Sequence, residues 1–344
     1  MALYLEHFGL SEAPFRITPH TDFFFDGADR GATLEGLIYA VLHDEGIVKV
    51  SGEVGSGKTM LCRVLMERLP APVVTIYLAT PSLARDEILH AIGAELGLAL
   101  PRKRTAVALR ELQAELIKLY AEGRRVVVLI DEAHVMPEET LEQVRLLSNL
   151  ESSRHKLLHI VLFGQPELDE ALAKTSLRQL RDRITHAFRT RPLSAAEVSR
   201  YLTFRMRAAG YRGPDVFAAS AARQLAAASS GLTRRLNILA DKALLAAYSD
   251  GSHAVTARHV RAAVRDSEFG ALGRTAGPRL RTVAAAALLA GLAIGTALQW
   301  SWSGRPASTE LPVQAIAAVP PSPAEQRPPP PRLSEAQALS LIHI

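Results

Sequence analysis

A glycine-rich segment at residues 52–59 carries the strongest chemical signal in the sequence. Its glycines let the backbone curl, so that N–H groups turn inward around phosphate oxygens. The lysine of this G-x-x-x-x-G-K-[ST] pattern neutralises the β- and γ-phosphates, and the threonine hydroxyl ligates Mg²⁺. The segment therefore predicts binding of ATP with Mg²⁺. The predicted ATP-binding residues are Gly52, Glu53, Val54, Gly55, Ser56, Gly57, Lys58, Thr59 and the next residue, Met60.

Two carboxylates, Asp131 and Glu132, follow the apolar run at residues 126–130. A buried parallel strand that ends beside the phosphate loop would place both of them next to the nucleotide. We expect Asp131 to hold Mg²⁺, directly or through water, and Glu132 to orient and polarise the attacking water. The alternative is a solvated acidic pair at a strand end. The loop upstream favours the hydrolytic interpretation, so the pair predicts ATP hydrolysis.

Polar side chains further along the chain complete the predicted site. Gln165 ends the next apolar run, where its side chain can reach the γ-phosphate. Arg234 begins a helical stretch, and it is favoured over Arg235 for a phosphate contact because of its spacing from Gly231. These residues predict one phosphate contact from the strand side and another from the helical side of the nucleotide.

Three arginines lie close together at residues 177–184, namely Arg178, Arg181 and Arg183. In an oligomeric ATPase, one of them can enter the neighbouring subunit's site as an arginine finger. The alternative is an arginine-rich, solvated helix face. The cluster therefore predicts self-association of the chain.

The elements that must position these residues alternate along the first part of the chain. Short runs of β-branched residues and leucine predict strands, and apolar residues at helical spacing predict helices between them, as in a parallel α/β sheet. The predicted strands are residues 47–51, 73–78, 126–130 and 157–163, and the predicted helices are 59–69, 82–98 and 104–122. After residue 193 only helices are predicted, at 194–209, 215–229, 233–249 and 256–267.

Residues 282–304 carry no charge, and a segment of 23 residues is long enough to span a bilayer. Arg279 and Arg281 precede it and Trp300 and Trp302 lie at its far end, which places the N-terminal side in the cytoplasm. A buried, alanine-rich helix is the alternative.

The N-terminus has no signal-peptide pattern, and the net charge of +5 permits nucleic acid or a membrane as a partner without demanding either.

The predicted fold class is an α/β P-loop core with a parallel sheet and flanking helices, an all-helical lid, one transmembrane helix and a disordered tail. The predicted regions are 1–45 (N-terminal segment), 46–192 (core), 193–272 (lid), 282–302 (transmembrane helix) and 303–344 (Pro-rich periplasmic tail).

Several motifs occur in the same order as in one family. They are residues 4–10 with Pro14 and Phe15, the phenylalanines 23–25, the phosphate loop, and residues 146–151, 163–168, 177–184 and 234–237. Together they resemble the AAA+ ATPases of the general secretion pathway protein A type. Within that family they are most similar to the membrane-anchored ATPases of mannose-sensitive haemagglutinin (type IV) pilus biogenesis. The resemblance covers about residues 1–269.

The resemblance implies an ATPase domain in the cytoplasm, held at the inner membrane by a single span, with secretion or pilus assembly proteins as partners. Better-known members of the family carry a periplasmic domain that binds peptidoglycan. Lys58, Thr59, Asp131 and Glu132 keep the roles given above. The remaining family roles fall on Gln165 (sensor), Arg181 and Arg183 (finger), Arg234 (lid sensor), and Phe25 and Arg30 (base pocket). The resemblance thus implies that the N-terminal segment, residues 1–45, contributes to the nucleotide pocket.

Two departures from the family pattern matter. His134 stands where many relatives have glutamine, which puts γ-phosphate signalling through that side chain in doubt. No peptidoglycan-binding domain is recognisable, so either the tail is truncated or this member lacks it.

Two other functions stay open: a DNA-associated AAA+ regulator of the transposition target-selection type, and an ATP-binding switch with negligible turnover. The predicted span argues against the regulator, so we do not expect nucleic acid as a partner.

Overall fold

The computed structural model describes residues 3–43, 46–79, 84–101, 105–152 and 155–267. The chain divides into two compact units, Met1–Thr275 and Ala276–Ile344, and all described residues belong to the first. Among these residues, no helix combines the length and the apolar character that crossing a membrane requires. The span predicted at 282–302 and the tail predicted at 303–344 lie outside the described residues, and both stay predictions.

Strands and helices alternate up to residue 189, and helices alone follow. The strands are β1 (Ile47–Ser51), β2 (Val73–Leu78), β3 (Arg125–Ile130), β4 (Leu158–Gly164) and β5 (Ile184–Arg189). The first eight helices are α1 (Leu5–Phe8), α2 (Arg30–His43), α3 (Lys58–Arg68), α4 (Arg85–Glu95), α5 (Thr105–Ala121), α6 (Glu138–Leu147), α7 (Pro166–Ala173) and α8 (Arg178–Arg181). The last four are α9 (Ala195–Ala208), α10 (Ala219–Ser229), α11 (Thr233–Ser249) and α12 (Ala257–Arg265).

The five strands form one parallel sheet in the order β2-β3-β4-β1-β5. All seven residues of β4 are buried, because helices cover both faces of the sheet. Since the strands are parallel, the carboxyl ends of β1, β3 and β4 lie along one edge, where the predicted chemistry is found. The predicted α/β core with a parallel sheet and flanking helices is therefore confirmed.

The sequence patterns missed β5 and misplaced the start of α10. In β5, half-buried and exposed residues alternate at the edge of the sheet, so the strand has no continuous apolar run. The helix predicted from residue 215 begins at Ala219, because Phe217 forms a parallel bridge with Val255. Both differences arise from pairing with residues that are distant in the chain.

The first part of the N-terminal segment, residues 4–28, packs with the lid, whereas α2 packs against the sheet. Tyr4, Phe8, Phe15, Phe23 and Phe25 share one apolar cluster with side chains of α9, α10, α11 and α12. The helical region is therefore a composite of residues from both ends of the described chain. The predicted boundaries at 45/46 and 192/193 stay predictions.

Candidate functional site

The phosphate loop joins the end of β1 to the start of α3. Gly55 and Gly57 have φ angles of 76° and 100°, in the left-handed region that favours glycine. A Cβ atom at Gly52 would come within 2.0 Å of Thr190 Oγ1, so this position leaves no room for a side chain. The loop adopts its curled shape because glycine stands at all three positions.

Lys58, the first residue of α3, lies inside this loop. Its Nζ donates hydrogen bonds to the carbonyl oxygens of Gly52 (2.8 Å) and Glu53 (3.1 Å). Burial lowers the pKa of Lys58, whereas the charges of Glu132 and Asp131 act to raise it. The ammonium group therefore lies at the centre of the backbone curl, with the strand-end carboxylates close enough to influence it.

The strand-end residues meet as the sequence predicted they would. Asp131 is buried; its Oδ1 accepts a hydrogen bond from the Glu132 N–H (2.9 Å), and its Oδ2 accepts one from the Tyr77 hydroxyl (3.3 Å). Gln165 Nε2 donates to Glu132 Oε2 at 3.1 Å. His134 Nδ1 lies 3.4 Å from the same oxygen, so the residue that departs from the family pattern also faces Glu132.

Glu132 has a φ angle of 53°, which is unusual for a residue with a side chain. Such strained positions cluster at functional sites, where surrounding contacts hold them. The backbone hydrogen bond to Asp131 and the side-chain hydrogen bond from Gln165 are two contacts of that kind.

The donor atoms present fit a magnesium ion. Thr59 lines the cavity beside the loop and offers a hydroxyl, and Asp131 offers a carboxylate. Mg²⁺ takes oxygen ligands and is commonly held by one or two carboxylates together with phosphate oxygens and water. Within the described ranges no group of three or more His, Cys, Asp or Glu side chains is arranged for a metal. The fit therefore depends on oxygens from the nucleotide, and both residue roles stay predictions.

A cavity of about 400 Å³ opens beside the loop. Phe25 lies in its wall and packs edge-to-face against Tyr201, with ring centroids 5.5 Å apart. The other lining residues come from the N-terminal segment, the loop with α3, the end of β3 and the lid: Arg16, Ile17, Thr18, Pro19, Phe23, Phe24, Arg30, Val54, Gly55, Gly57, Lys58, Thr59, Met60, Glu132, Arg205, Thr233, Arg234 and Asn237.

The lid contacts the phosphate loop directly. Thr233 Oγ1 donates to the carbonyl oxygen of Gly55 (2.7 Å), and the Arg234 N–H donates to the same oxygen (3.2 Å). A Cβ at Gly55 would lie 2.7 Å from the Cβ of Arg234, so glycine is also needed for this close approach. The structure thus brings Arg234 to the cavity, and its role as a lid sensor stays a prediction.

The predicted finger residues lie away from their own chain's loop. The carbonyl oxygen of Arg183 accepts a hydrogen bond from the Ile47 N–H (3.1 Å), at the amino end of β1. The phosphate loop follows the carboxyl end of the same strand, roughly 13 Å away at 3.3 Å per residue. Arg181 is exposed and Arg178 pairs with Asp182. The structure therefore does not bring these arginines to this site, and a role in a neighbouring subunit stays a prediction.

Several residues at the site were not predicted. Thr190 follows β5, and its Oγ1 lies 2.7 Å from the Ser56 hydroxyl of the loop. Thr233 was not predicted because the neighbouring arginines are stronger candidates for a phosphate contact. Tyr201 and Arg205 are lid residues that line the cavity, and no local pattern distinguishes them from core residues. Asn237 also lines the cavity; it ends the 234–237 motif, but the sequence assigned it no role.

Comparisons with known proteins identify relatives of this chain. The family model for the AAA domain matches residues 41–172. General secretion pathway protein A of Aeromonas hydrophila is 39% identical over 254 residues, which cover 74% of this chain and 46% of that protein. The chain therefore carries an AAA domain and is related to general secretion pathway protein A. The predicted P-loop NTPase class of the AAA+ type is confirmed, and ATP hydrolysis stays a proposal because the chain spans less than half the length of this relative.

Two solved structures show how widely this AAA+ fold is shared. The ORC2 protein of Aeropyrum pernix in its ADPNP–ADP complexes has a TM-score of 0.53 and 20% identity, covering 73% of this chain and 72% of that one. Drosophila ORC bound to DNA has a TM-score of 0.52 and 20% identity, covering 74% and 64%. At such identities the similarity establishes the fold alone.

Proposed function

We propose that this AAA+ chain hydrolyses ATP at the site formed by the phosphate loop, Asp131, Glu132 and Gln165. The observation that carries the proposal is the hydrogen bond from Gln165 to Glu132 at the strand edge beside Lys58. A carboxylate in this position can orient water for attack on a γ-phosphate. Because Gln165 occupies Oε2, we expect Oε1 of Glu132 to accept the hydrogen bond from the water.

The loop and α3 are proposed to hold the phosphates. The first N–H groups of a helix lack intrahelical acceptors and favour an anion, so the start of α3 suits the β-phosphate. Lys58 can exchange its loop carbonyls for phosphate oxygens, which accept stronger, charge-assisted hydrogen bonds. When bound through Thr59 and Asp131, Mg²⁺ would neutralise charge on the β- and γ-phosphates.

The lid is proposed to respond to the state of the nucleotide. Arg234 and Thr233 contact Gly55 of the loop, so a change at the phosphates can alter the position of α11. Hydrolysis would then move the lid against the α/β core. The arginines at 181 and 183 are proposed to reach a neighbouring subunit's site, since they lie far from their own.

Replacing Glu132 with glutamine tests the hydrolytic assignment. We expect Glu132→Gln to bind ATP normally and to release phosphate at least about 100-fold more slowly, since one general base commonly contributes 10²–10⁴-fold. The measurement is phosphate release beside ATP affinity. Glu139→Gln makes the same change on the exposed face of α6 and serves as the control. Unchanged phosphate release in Glu132→Gln would favour the ATP-binding switch instead.

We further propose that the chain is anchored in the inner membrane by residues 282–302 and assists assembly of a type II secretion or type IV pilus machine. The support is the uncharged segment in the sequence and the similarity to general secretion pathway protein A. A peptidoglycan contact would require a further domain.

Fractionation of cells that produce the full chain tests the anchor. We expect the protein to sediment with the inner membrane and to resist extraction by high salt, because a span is held by apolar contacts rather than by charge. Deleting residues 282–304 should release it. Recovery of the intact chain in the supernatant would overturn the anchor while leaving the ATPase assignment untouched.

The DNA-associated regulator stays the alternative because the fold is shared by structures bound to DNA. A chain of residues 1–272 that binds duplex DNA, with an affinity that falls steeply with salt, would favour it. The absence of such binding together with membrane fractionation would favour the secretion proposal.

A further inference from the structure

Arg30, at the start of α2, is the least satisfied charged group around the nucleotide cavity. Only 7% of its surface is exposed. Its Nη2 donates to the carbonyl oxygen of Ser56 (3.0 Å), whereas its Nη1 is buried and has no hydrogen-bond partner among the described residues. Buried charges are normally paired, because removing a cation from water costs several kcal/mol.

The carboxylates nearest to Arg30 are engaged elsewhere. Arg191 donates hydrogen bonds to both carboxylate oxygens of Glu197 (2.9 Å each) and another to the carboxylate of Asp29, the residue before Arg30. None of the ion pairs within the described residues involves Arg30. Burial lowers the pKa of Arg30, as expected for a cation without a carboxylate partner. The fold therefore leaves one buried guanidinium group uncompensated at the cavity wall.

Arg205 shows that this is not a general property of buried arginines in the same cavity. It is equally buried, but its Nε donates to the Pro14 carbonyl oxygen and its Nη1 to the Tyr201 hydroxyl. Its guanidinium also lies over the Phe23 ring, 4.5 Å from the centroid. Arg205 is thus satisfied by the protein, whereas Arg30 retains an unused donor.

The position of Arg30 indicates which group it would meet. Its Nε is 3.7 Å from the place of a Cβ atom on Gly57, the N-cap of α3, so it flanks the N–H groups that suit a phosphate. Lys58 donates to the carbonyl oxygens of Gly52 and Glu53 at the start of the loop, whereas Arg30 donates to that of Ser56 near its end. The two cations therefore contact opposite ends of the phosphate loop.

We propose that Arg30 binds the nucleotide phosphate nearest the ribose, donating Nη1 to the α-phosphate of ATP or ADP, rather than recognising the base. Lys58 would neutralise the end of the triphosphate where water attacks, and Arg30 the end that stays with the nucleoside. This inference rests on the proposed nucleotide binding at the loop. It differs from the base-pocket role that the family resemblance implied for Arg30.

Replacing Arg30 with methionine separates a ligand contact from a packing role. A buried, unpaired charge destabilises the free protein, so Arg30→Met should leave the Tm of the nucleotide-free protein unchanged or raise it. A charge-assisted hydrogen bond to phosphate accounts for roughly 10- to 100-fold in affinity. We expect ATP, ADP and AMP to lose about this factor, whereas binding of adenosine is unchanged.

The experiment measures the affinities of these four ligands by calorimetry, or by displacement of a fluorescent ADP, for the full chain and its variants. Arg145→Met removes a half-buried guanidinium that is paired with Glu142 on α6, and it should not change any of the affinities. Arg30→Gln keeps a donor for Ser56 but removes the charge. It should show the same phosphate-dependent loss if the methionine variant fails to fold.

Three results would overturn the proposal. Unchanged ADP affinity would exclude the contact, a loss shared by adenosine would assign Arg30 to the base or to packing, and a loss confined to ATP would place it at the γ-phosphate. Failure of the wild-type chain to bind ATP or ADP at all would instead refute the proposed function. The two failures are therefore distinguishable.

Discussion

The α/β core and the helical lid are assembled in different ways. The core takes its two apolar clusters from residues 34–180, a continuous stretch in which each strand lies close in the chain to the helices that cover it. The lid takes its cluster from residues 4–28 and 193–263, with the whole core between them in sequence. The apolar contacts of the core thus join residues from one continuous stretch, whereas those of the lid join residues near the two ends of the described chain.

The same N-terminal residues form hydrogen bonds with both the lid and the core. Asn237 of the lid donates to the Arg16 carbonyl oxygen (3.3 Å), and Arg63 of α3 donates to the Pro19 carbonyl oxygen (3.1 Å). Between these two contacts the segment lines the nucleotide cavity. A movement of the lid must therefore displace the wall of the cavity, which is why the two regions communicate beside the nucleotide and not only through the loop.

Truncation of a core phenylalanine should have the largest effect. Phe163 on β4 is 0% exposed, and Phe163→Ala should lower the free energy of unfolding by about 4 kcal/mol through lost burial and a residual cavity. Urea unfolding followed by circular dichroism measures this value. Because the sheet supports every other element, we expect hydrogen exchange to accelerate in the strands and the lid together; a loss confined to the lid would contradict the comparison.

Truncation in the N-terminal segment should have a smaller and more local effect. Phe15 is 2% exposed and packs edge-to-face on Phe217, so Phe15→Ala should cost about 3 kcal/mol. Hydrogen exchange should accelerate in α9–α12 while β3 and β4 stay protected. Leu3→Ala removes a 72% exposed side chain from the same segment and should change neither measurement. Equal acceleration in the strands would show that lid and core are one cooperative unit.

The smallest effect is expected at the contact between lid and loop. Thr233→Val removes the hydrogen bond to Gly55 but keeps the shape of the side chain, so about 1 kcal/mol of loop–lid coupling should be lost. We expect little change in Tm and a several-fold change in ADP affinity, measured by titration. Ser249→Ala removes an exposed hydroxyl at the far end of α11 and should leave ADP affinity unaltered. An unchanged affinity in Thr233→Val would show that the lid does not sense the loop through this residue.

Much of the core and the strand side of the site could be predicted because their signals are local. The glycines of the loop permit backbone angles that other residues rarely adopt, so the pattern itself indicates the curled loop. Buried parallel strands need continuous apolar runs, as in β3 and β4. Asp131, Glu132 and Gln165 follow those runs directly, so placing the strands also placed the side chains. The edge strand β5 has no such run, and with it Thr190 and its contact to Ser56 escaped prediction.

The sequence by itself determined the phosphate loop, the acidic strand end and the division into a sheet region and a helical region, since each depends on residues close together in the chain. Only the tertiary structure decided that the N-terminal phenylalanines belong to the lid and that Arg181 and Arg183 lie at the opposite end of β1 from their own loop. It also decided that Arg30 has no carboxylate partner among the described residues, because Arg191 binds both Glu197 and Asp29. The physical reason is common to all three: burial and pairing are set by neighbours in space, and here those neighbours are often more than a hundred residues away in the chain.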